Sequence, residues 1–590
     1  MAKINIKCNT NSLDEFRRLA ELAKEFGATH LAVNQIEPSM WMWDINRYDP
    51  YPNWGLENPT LFKFIVPEEL KKYYPADYAA RNLEMLKARA EILKEFGLKA
   101  SFQGMEPAYM PEAVYRDHPE WRGPRCDQTR RARSEYFAPC LDNEELRAIY
   151  VRTVTELCKA APIESFTFLT NDSGGGLCWA EGLYPGKNGP MACEHIPMGK
   201  RIARYLSIFQ EGAALAGLKA DAGVHHIADS DMIASLPDLL PGQSINNRTA
   251  SGATAVASVG YAVPYGDHAS PVALMPRMVT YAEQLQALNG KEDCNISIAF
   301  RSVNDFEAIA FVKKYFKKIG NGPAAVYNAL TGFATGLVGK ENADKLVEVW
   351  NLIEKCIHGF DFLETGGHIF LLGSIHQRWL TRPLVAFPGE LTPEEKSYYR
   401  DYQFQAQSEE DADNMCDLQA NCWLSGYGAT NLLTKCIRTN LPLLNKAIGI
   451  IGELIENTRN TSYHNQLKKL LLRARLYRCV IRNAGNVVQF QNILDRTDYS
   501  VTPRDTSPCI SEQGDIRYFK VNQLLRNEVD NTLEMISILK EDISTIINVE
   551  VKFKSVMNYG CDIVDDLKKK ITIMENHRRD FERLYKSYNR

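Results

Sequence analysis

Over the first 310 residues, short runs of alternating apolar and polar residues are each followed by a stretch with helical spacing. Alternation marks a half-buried strand, and recurrence at three and four residues marks an amphipathic helix. Ile4-Asn5-Ile6-Lys7-Cys8 reads as the first strand. Asn11-Ser12-Leu13 opens a helix that stops at Gly27. Thr29 to Asn34 is the second strand, followed by a long loop rich in Trp, Tyr and Pro. A strongly periodic helix runs from Ala76 to Phe96 and is stopped by Gly97. Lys99 to Glu106 is the third strand, Asn143 to Ala161 a helix, and Ser165 to Thr170 the fourth strand. Pro197 to Gly217 is helical. Strand five is expected at Lys219–His226, strand six at Ser244–Arg248 and strand seven at Val259–Pro264. A helix over Pro271–Asn289, strand eight at Cys294–Phe300 and a closing helix at Asp305–Lys318 complete the series.

Eight strands, each leading to a helix or a long excursion, predict an α/β fold: a (β/α)8 TIM barrel over residues 1–320, near the usual barrel length. Strands six and seven carry the most polar residues. Beyond about residue 320 the strand signal stops. Ala343–His358, Pro393–Gln405, Glu409–Asn421, Pro442–Asn457, Ser462–Gln489 and Val521–Ile546 have helical spacing. Residues 321–590 are therefore expected to form a mainly α-helical C-terminal domain, with a long loop over 490–520, where Pro503 and Pro508 fall. The tail from Leu567-Lys568-Lys569-Lys570 reads as a basic helix with a solvated face.

A chain of 590 residues exceeds what one core supports. The net charge of -4, without a long basic stretch, leaves no electrostatic footprint for nucleic acid. No run of about 18 apolar residues is present, so no membrane-spanning helix is expected. The alternating start at Ile4-Asn5-Ile6-Lys7 is unlike a signal peptide. A cytoplasmic protein is expected, or a periplasmic one if a leader has been removed. The 14 cysteines are scattered, the pattern of reduced, buried thiols. Cys178, Cys193 and His195 come nearest to metal spacing, but no CxxC pair joins them. The expectation is no metal and no cofactor.

Barrel enzymes place reacting groups at the C-terminal ends of their strands. That rule selects Asn34 after strand two, Glu106 after strand three, and Asn171 and Asp172 after strand four. It selects His225 and His226 after strand five, Arg248 after strand six, Tyr265 and Asp267 after strand seven, and Arg301 after strand eight. Asp172 precedes Ser173-Gly174-Gly175-Gly176, where the backbone can pass close to a ligand. It is the first choice for a catalytic acid; the other reading is a cap for the glycine-rich turn. Glu106 is the second carboxylate, as base, nucleophile or hydroxyl ligand, or else a rim ion pair with an arginine. Of His225 and His226, at most one can face the interior of an extended strand. Arg248 and Arg301 offer forks for a carboxylate or for ion pairs. Trp179 offers an aromatic face to the apolar side of a sugar ring. Asp142 and Asn143 read as caps for the following helix. Gly366 to Pro383 reads as a loop for domain docking or substrate contact.

A barrel with an Asn-carboxylate pair after strand four, an aromatic rim and an appended helical region resembles the glycoside hydrolases of the hexosaminidase and α-glucuronidase kind, families 20, 84, 85 and 67. His118-Pro119-Glu120-Trp121-Arg122-Gly123 also resembles a phrase common in bacterial glycosidase barrels. The resemblance implies a hydrolase cleaving a hexosaminide or uronide by carboxylate acid/base catalysis. In the hexosaminidase reading Asn171 holds the acetamido group and Asp172 is the acid/base. The usual pair there is Asp-Glu or Asp-Asp, and this chain departs from it. In the uronide reading Asp172 is the acid, Glu106 the base, and Arg248 or Arg301 binds the uronate. Two other readings stand beside it. One is a metal-dependent sugar isomerase or epimerase, with Glu106, Asp172, His225 or His226 and Asp229 as ligands. The other is a non-catalytic carbohydrate-binding protein. The expected partner is a carbohydrate, with homo-oligomer formation left open.

Overall fold

The structure is a computed structural model. It describes residues 3–10, 12–36, 59–126, 135–170, 176–181, 188–260, 272–291, 294–360, 379–401, 427–458, 462–497, 510–546, 548–549 and 559–581. The chain divides into two compact units: residues 1–263 with 283–319, and residues 264–282 with 320–590.

The first unit is built on eight parallel strands: β1 (Ile4–Lys7), β2 (His30–Ala32), β3 (Lys99–Met105), β4 (Ile163–Leu169), β5 (Asp221–His225), β6 (Gln243–Ile245), β7 (Val256–Gly260) and β8 (Asn295–Ala299). Their order across the sheet is β6-β5-β4-β3-β2-β1-β8-β7. This is the cyclic order of a barrel, and the pairing of β1 with β8 brings the two ends of the series together. Among the described residues no ladder joins β6 to β7. The connection between them is a turn over 246–255, with bridges from Arg248 to Ile245 and Thr254. The expected strand six stops early because Asn246 and Asn247 take positive φ values of 43° and 64°, which no extended strand accommodates.

Helices α1 (Leu13–Glu25), α2 (Ala76–Phe96), α3 (Glu144–Ala160), α4 (Met198–Leu215), α5 (Met278–Gln286) and α6 (Phe306–Tyr315) separate most of the strands. Ser12 Oγ accepts from Glu15 N at 3.2 Å to start α1, and Asn143 Oδ1 accepts from Leu146 N at 3.0 Å to start α3. Gly97 ends α2 in the left-handed region at φ 67°, where a side chain would be strained.

The two faces of the sheet differ chemically. Ile6, Leu31, Phe102, Phe166, Phe168, Val224 and Ile298 point to the helices and are almost wholly buried. The ring of Phe168 lies 4.3 Å from that of Phe209 on α4. Burying each such ring stabilises the fold by roughly 2–3 kcal/mol. On the opposite face, Asn5 is level with Ser297, Ser297 with Ser258, and Ser101 with Ser165. Ser101 Oγ donates to Asn5 Oδ1 at 2.8 Å, past the intervening β2. This face is polar and hydrogen-bonded, whereas a barrel interior more often holds bulky aliphatic layers. The polar residues Asn246, Asn247 and Arg248 noted for strand six lie in the turn after it, and strand seven runs over Val256–Gly260, earlier than the expected 259–264, of which 261–264 lie outside the described residues.

In the second unit α7 (Pro323–Val338), α8 (Ala343–His358), α9 (Tyr427–Asn457), α10 (His464–Thr497), α11 (Ile510–Glu541) and α12 (Ile563–Asn576) each pack on the next in sequence. Three expectations change here. Helix α9 begins at Tyr427 and carries Pro442 inside it, because buried Leu433, Cys436, Leu444 and Ala447 on one face outweigh the lost backbone bond. The 490–520 loop is largely helix: α10 reaches Thr497 and α11 starts at Ile510. The basic α12 is not simply solvated, since the Lys570 side chain is fully buried against Glu528. The expected helix over 409–421 lies outside the described residues, as do residues 366–378 of the candidate docking loop.

Candidate active site

Parallel strands bring all their carboxyl ends to one edge, so the residues following β1 to β8 share a rim. Buried Arg89 on α2 holds part of it. Its guanidinium donates to the carbonyls of Thr10 (2.9 Å), Val33 (3.2 Å) and Gln35 (2.7 Å), which end β1 and β2. Burial lowers the Arg89 pKa to about 10, and Phe16 covers its face. Asn34 is fully buried. Its Nδ2 donates to Gln103 O at 2.8 Å and its Oδ1 accepts from Gln103 N at 3.0 Å, so the amide continues the sheet edge.

Glu106 follows β3 and is 1% exposed. Its Oε1 accepts from Leu61 N at 2.7 Å and its Oε2 from Ala108 N at 3.0 Å. Two backbone amides take the place of the arginine expected as its ion-pair partner. Burial raises its pKa to about 7, and the two amide bonds oppose that rise. Buried Tyr205 donates to the Glu106 carbonyl at 3.0 Å. Tyr74, Tyr150 and Tyr205 are raised well above the usual phenol range, first by burial and then by the Glu106 charge.

Thr170 follows β4. Its hydroxyl donates to His225 O at 3.0 Å and to His226 O at 3.3 Å, tying the ends of β4 and β5. His225 is level with Leu169 and lies on the polar face. Burial, with His226 and Lys7 nearby, lowers its pKa to about 4. His226 leaves the strand at φ 70°, so the pair does not stay extended. Arg248 is exposed on the 246–255 turn, where its guanidinium donates to Gly252 O at 3.2 Å and Thr254 Oγ1 at 3.3 Å. Arg301 is half-buried just beyond β8. Asn171, Asp172, Tyr265 and Asp267 lie outside the described residues.

Trp179 adopts φ 64°, and its indole N–H donates to Pro190 O at 2.9 Å. Its ring packs against a cluster that sequence spacing missed: Cys140, Cys178 and Cys193. His195, the third member of the spacing read from the sequence, is exposed, and Cys140 stands in the cluster instead. Cys140 comes from the excursion between β3 and α3, far from the other two in the chain, so no local motif could reveal it. Thiol hydrogen bonds, first from Cys178 and then from Cys193, pull Cys140 down to about 6. The same sharing pushes Cys178 well above the usual thiol range.

No protein-family model matches the chain, and no curated protein matches it. Among solved structures it is similar to a GH138 enzyme targeting pectin rhamnogalacturonan II, at 10% identity and a TM-score of 0.47, over 99% of this chain and 68% of that one. It is similar to a family 89 glycoside hydrolase from Clostridium perfringens in complex with PUGNAc, at 10% identity and a TM-score of 0.45, over 98% and 64%. A Flavobacterium johnsoniae chitobiase gives 10% identity and a TM-score of 0.32, over 96% and 77%. These neighbours are glycoside hydrolases, and the chain spans about two thirds of the length of the first two. No helix among the described residues is long and apolar enough to cross a membrane.

Proposed function

We propose that this chain is a glycosidase working at the carboxyl rim of a (β/α)8 barrel formed by residues 1–320, with 321–590 as a helical accessory domain. The main support is the gathering of Glu106, Thr170, His225 and Arg301 at the carboxyl ends of parallel strands, with the Asn171–Gly175 segment next in the chain after Thr170. In this reading Asp172 protonates the glycosidic oxygen, which needs a pKa near the working pH.

The state of Glu106 favours one version of the chemistry. A carboxylate that is buried, with each oxygen held by a backbone amide, fits a residue that positions the loops at Leu61 and Ala108 rather than a nucleophile. Arg248 is engaged within its own turn, which weakens its fit to a uronate clamp. A substrate-assisted mechanism needs only one enzyme carboxylate, because the acetamido carbonyl of the sugar attacks. The hexosaminide is therefore the proposed substrate class, with Asn171 holding the acetamido group and Asp172 as acid. The isomerase reading is less well supported, since Glu106 is 1% exposed and each of its oxygens already accepts a backbone N–H.

The test is turnover on paired glycosides that carry either a 2-acetamido or a 2-hydroxyl group. Wild type is expected to cleave only the first, and Asp172→Asn to lower kcat by about 100-fold or more on a poor leaving group. Unchanged turnover in that variant overturns the acid assignment. Cleavage of uronides alone overturns the substrate class.

A further inference from the structure

Cys140, Cys178 and Cys193 come from three separate segments: the end of the excursion between β3 and α3, the loop after β4, and the turn Met191–Cys193. All three are nearly inaccessible, and their sulfurs lie within 4.8 Å of one another. Cys140 Sγ is 3.4 Å from Cys193 Sγ. Thiolates set tetrahedrally around zinc at about 2.3 Å stand about 3.8 Å apart. A disulfide would bring two sulfurs to about 2.05 Å and leave the third without a role. The observed spacing is that of ligands around a common centre.

The surroundings are built for such a centre. The backbone of each cysteine is held in turn: Cys140 N donates to Trp121 O at 2.8 Å, Cys193 N donates to Pro190 O at 3.0 Å, and Cys178 O accepts from the Arg201 guanidinium. Arg201 is 5% exposed and also donates through Nε to Ile196 O at 2.9 Å. Its guanidinium also lies 4.0 Å from Asp142 Oδ2, so an ion pair, and not a lone positive charge, stands beside the cysteines. Outer groups of this kind orient ligands and tune the metal. A small cavity lined in part by Pro139, Asp142, Gly176 and Arg201 lies beside Cys178.

We propose that Cys140, Cys178 and Cys193 bind one zinc ion, which staples the loop after β4 to the excursion after β3. The site stands on geometry and donor chemistry alone and does not depend on the glycosidase reading.

Protein purified without chelator is expected to carry one equivalent of zinc by elemental analysis. Replacing it with cobalt should produce the strong charge-transfer absorption of thiolate ligands. Cys140→Ser, Cys178→Ser and Cys193→Ser should each lose the metal, while Cys561→Ser, at an exposed cysteine, should keep it. Removing zinc should lower Tm and expose three further thiols to alkylation. If the single variants fold poorly, the cobalt spectrum and thiol protection of the wild type still decide the matter. A wild type that holds no metal and takes up neither zinc nor cobalt overturns the proposal. So does a Cys140–Cys193 disulfide found by mass spectrometry, or metal retained in the triple variant.

Discussion

Lys3, just before β1, forms an ion pair with Asp221, the first residue of β5, although β2, β3 and β4 lie between them in the sheet. In a flat sheet four strand spacings would separate them by about 19 Å. Contact is possible only because the sheet curls strongly with its polar face inward. Each side chain keeps about a third of its exposure, so the pair is screened. A double-mutant cycle with Lys3→Met and Asp221→Asn is expected to give a coupling of about 0.5–1 kcal/mol at low salt, shrinking as salt rises. Zero coupling at low salt would place these residues apart.

Glu106 carries the opposite demands of burial and hydrogen bonding. Its folded pKa of about 7 lies above the ordinary 4.5, so the folded chain holds a proton that the unfolded chain releases. That contribution is full below about pH 4.5 and is lost as pH rises through about 7. Glu106→Gln should remove this slope from urea-unfolding curves measured across that range. It should also cost about 1–3 kcal/mol, because an amide NH2 then meets one of two buried N–H donors. An unchanged slope would show that Glu106 is ionised throughout.

His225 pulls stability the other way. Its folded pKa is lowered to about 4, so the folded state keeps it neutral while the unfolded chain takes up a proton near 6.5. Its contribution is full above about pH 6.5 and is lost as pH falls toward 4. His225→Asn should flatten the acid limb of the stability curve. Ring NMR titration should place the midpoint near 4, and a midpoint near 6.5 would contradict the burial argument. His30, similarly lowered to about 4 by burial and by Lys3, supplies a second such group.

The second unit has its own buried charge pair. Lys570 on α12 bonds Glu528 on α11, and both side chains are fully buried. Glu528 also accepts from Asn483 at 2.6 Å and Asn486 at 2.7 Å on α10, while Lys570 donates to Leu380 O at 2.9 Å. Lys570→Met leaves a buried carboxylate without a counter-charge, held only by the two asparagine amides, and should destabilise by about 3–5 kcal/mol. Lys570→Met combined with Glu528→Gln should recover much of that loss. Chemical denaturation of the three proteins checks both outcomes.

The sequence by itself determined most of the strands and helices of residues 1–320, because period-two and period-3.6 patterns follow from the local backbone; in the second unit it misread 490–520 as a loop. Caps such as Ser12 and Asn143 are equally local, since each side chain serves an N–H three residues on. The order of rim residues follows from the strand list. Local pattern did not decide where strand six ends, since Asn246 and Asn247 turn left-handed to make a tight return. It also did not show that Lys570 is buried, because a lysine on a charged helix reads as solvated until a partner from α11 covers it.

The tertiary structure alone decided what each rim residue has left to offer. Asn34 and Glu106 stand where catalytic groups belong, yet their polar atoms bond to the backbone of Gln103 and Leu61, distant in the chain and not identified by the local pattern, and of Ala108 two residues on. Cys140 joins Cys178 and Cys193 only through folding, because sulfur ligands are assembled by position in space and not by spacing along a chain. Periodicity reports which face a residue takes, whereas hydrogen-bond partners and burial depend on segments that meet only once the sheet has curled.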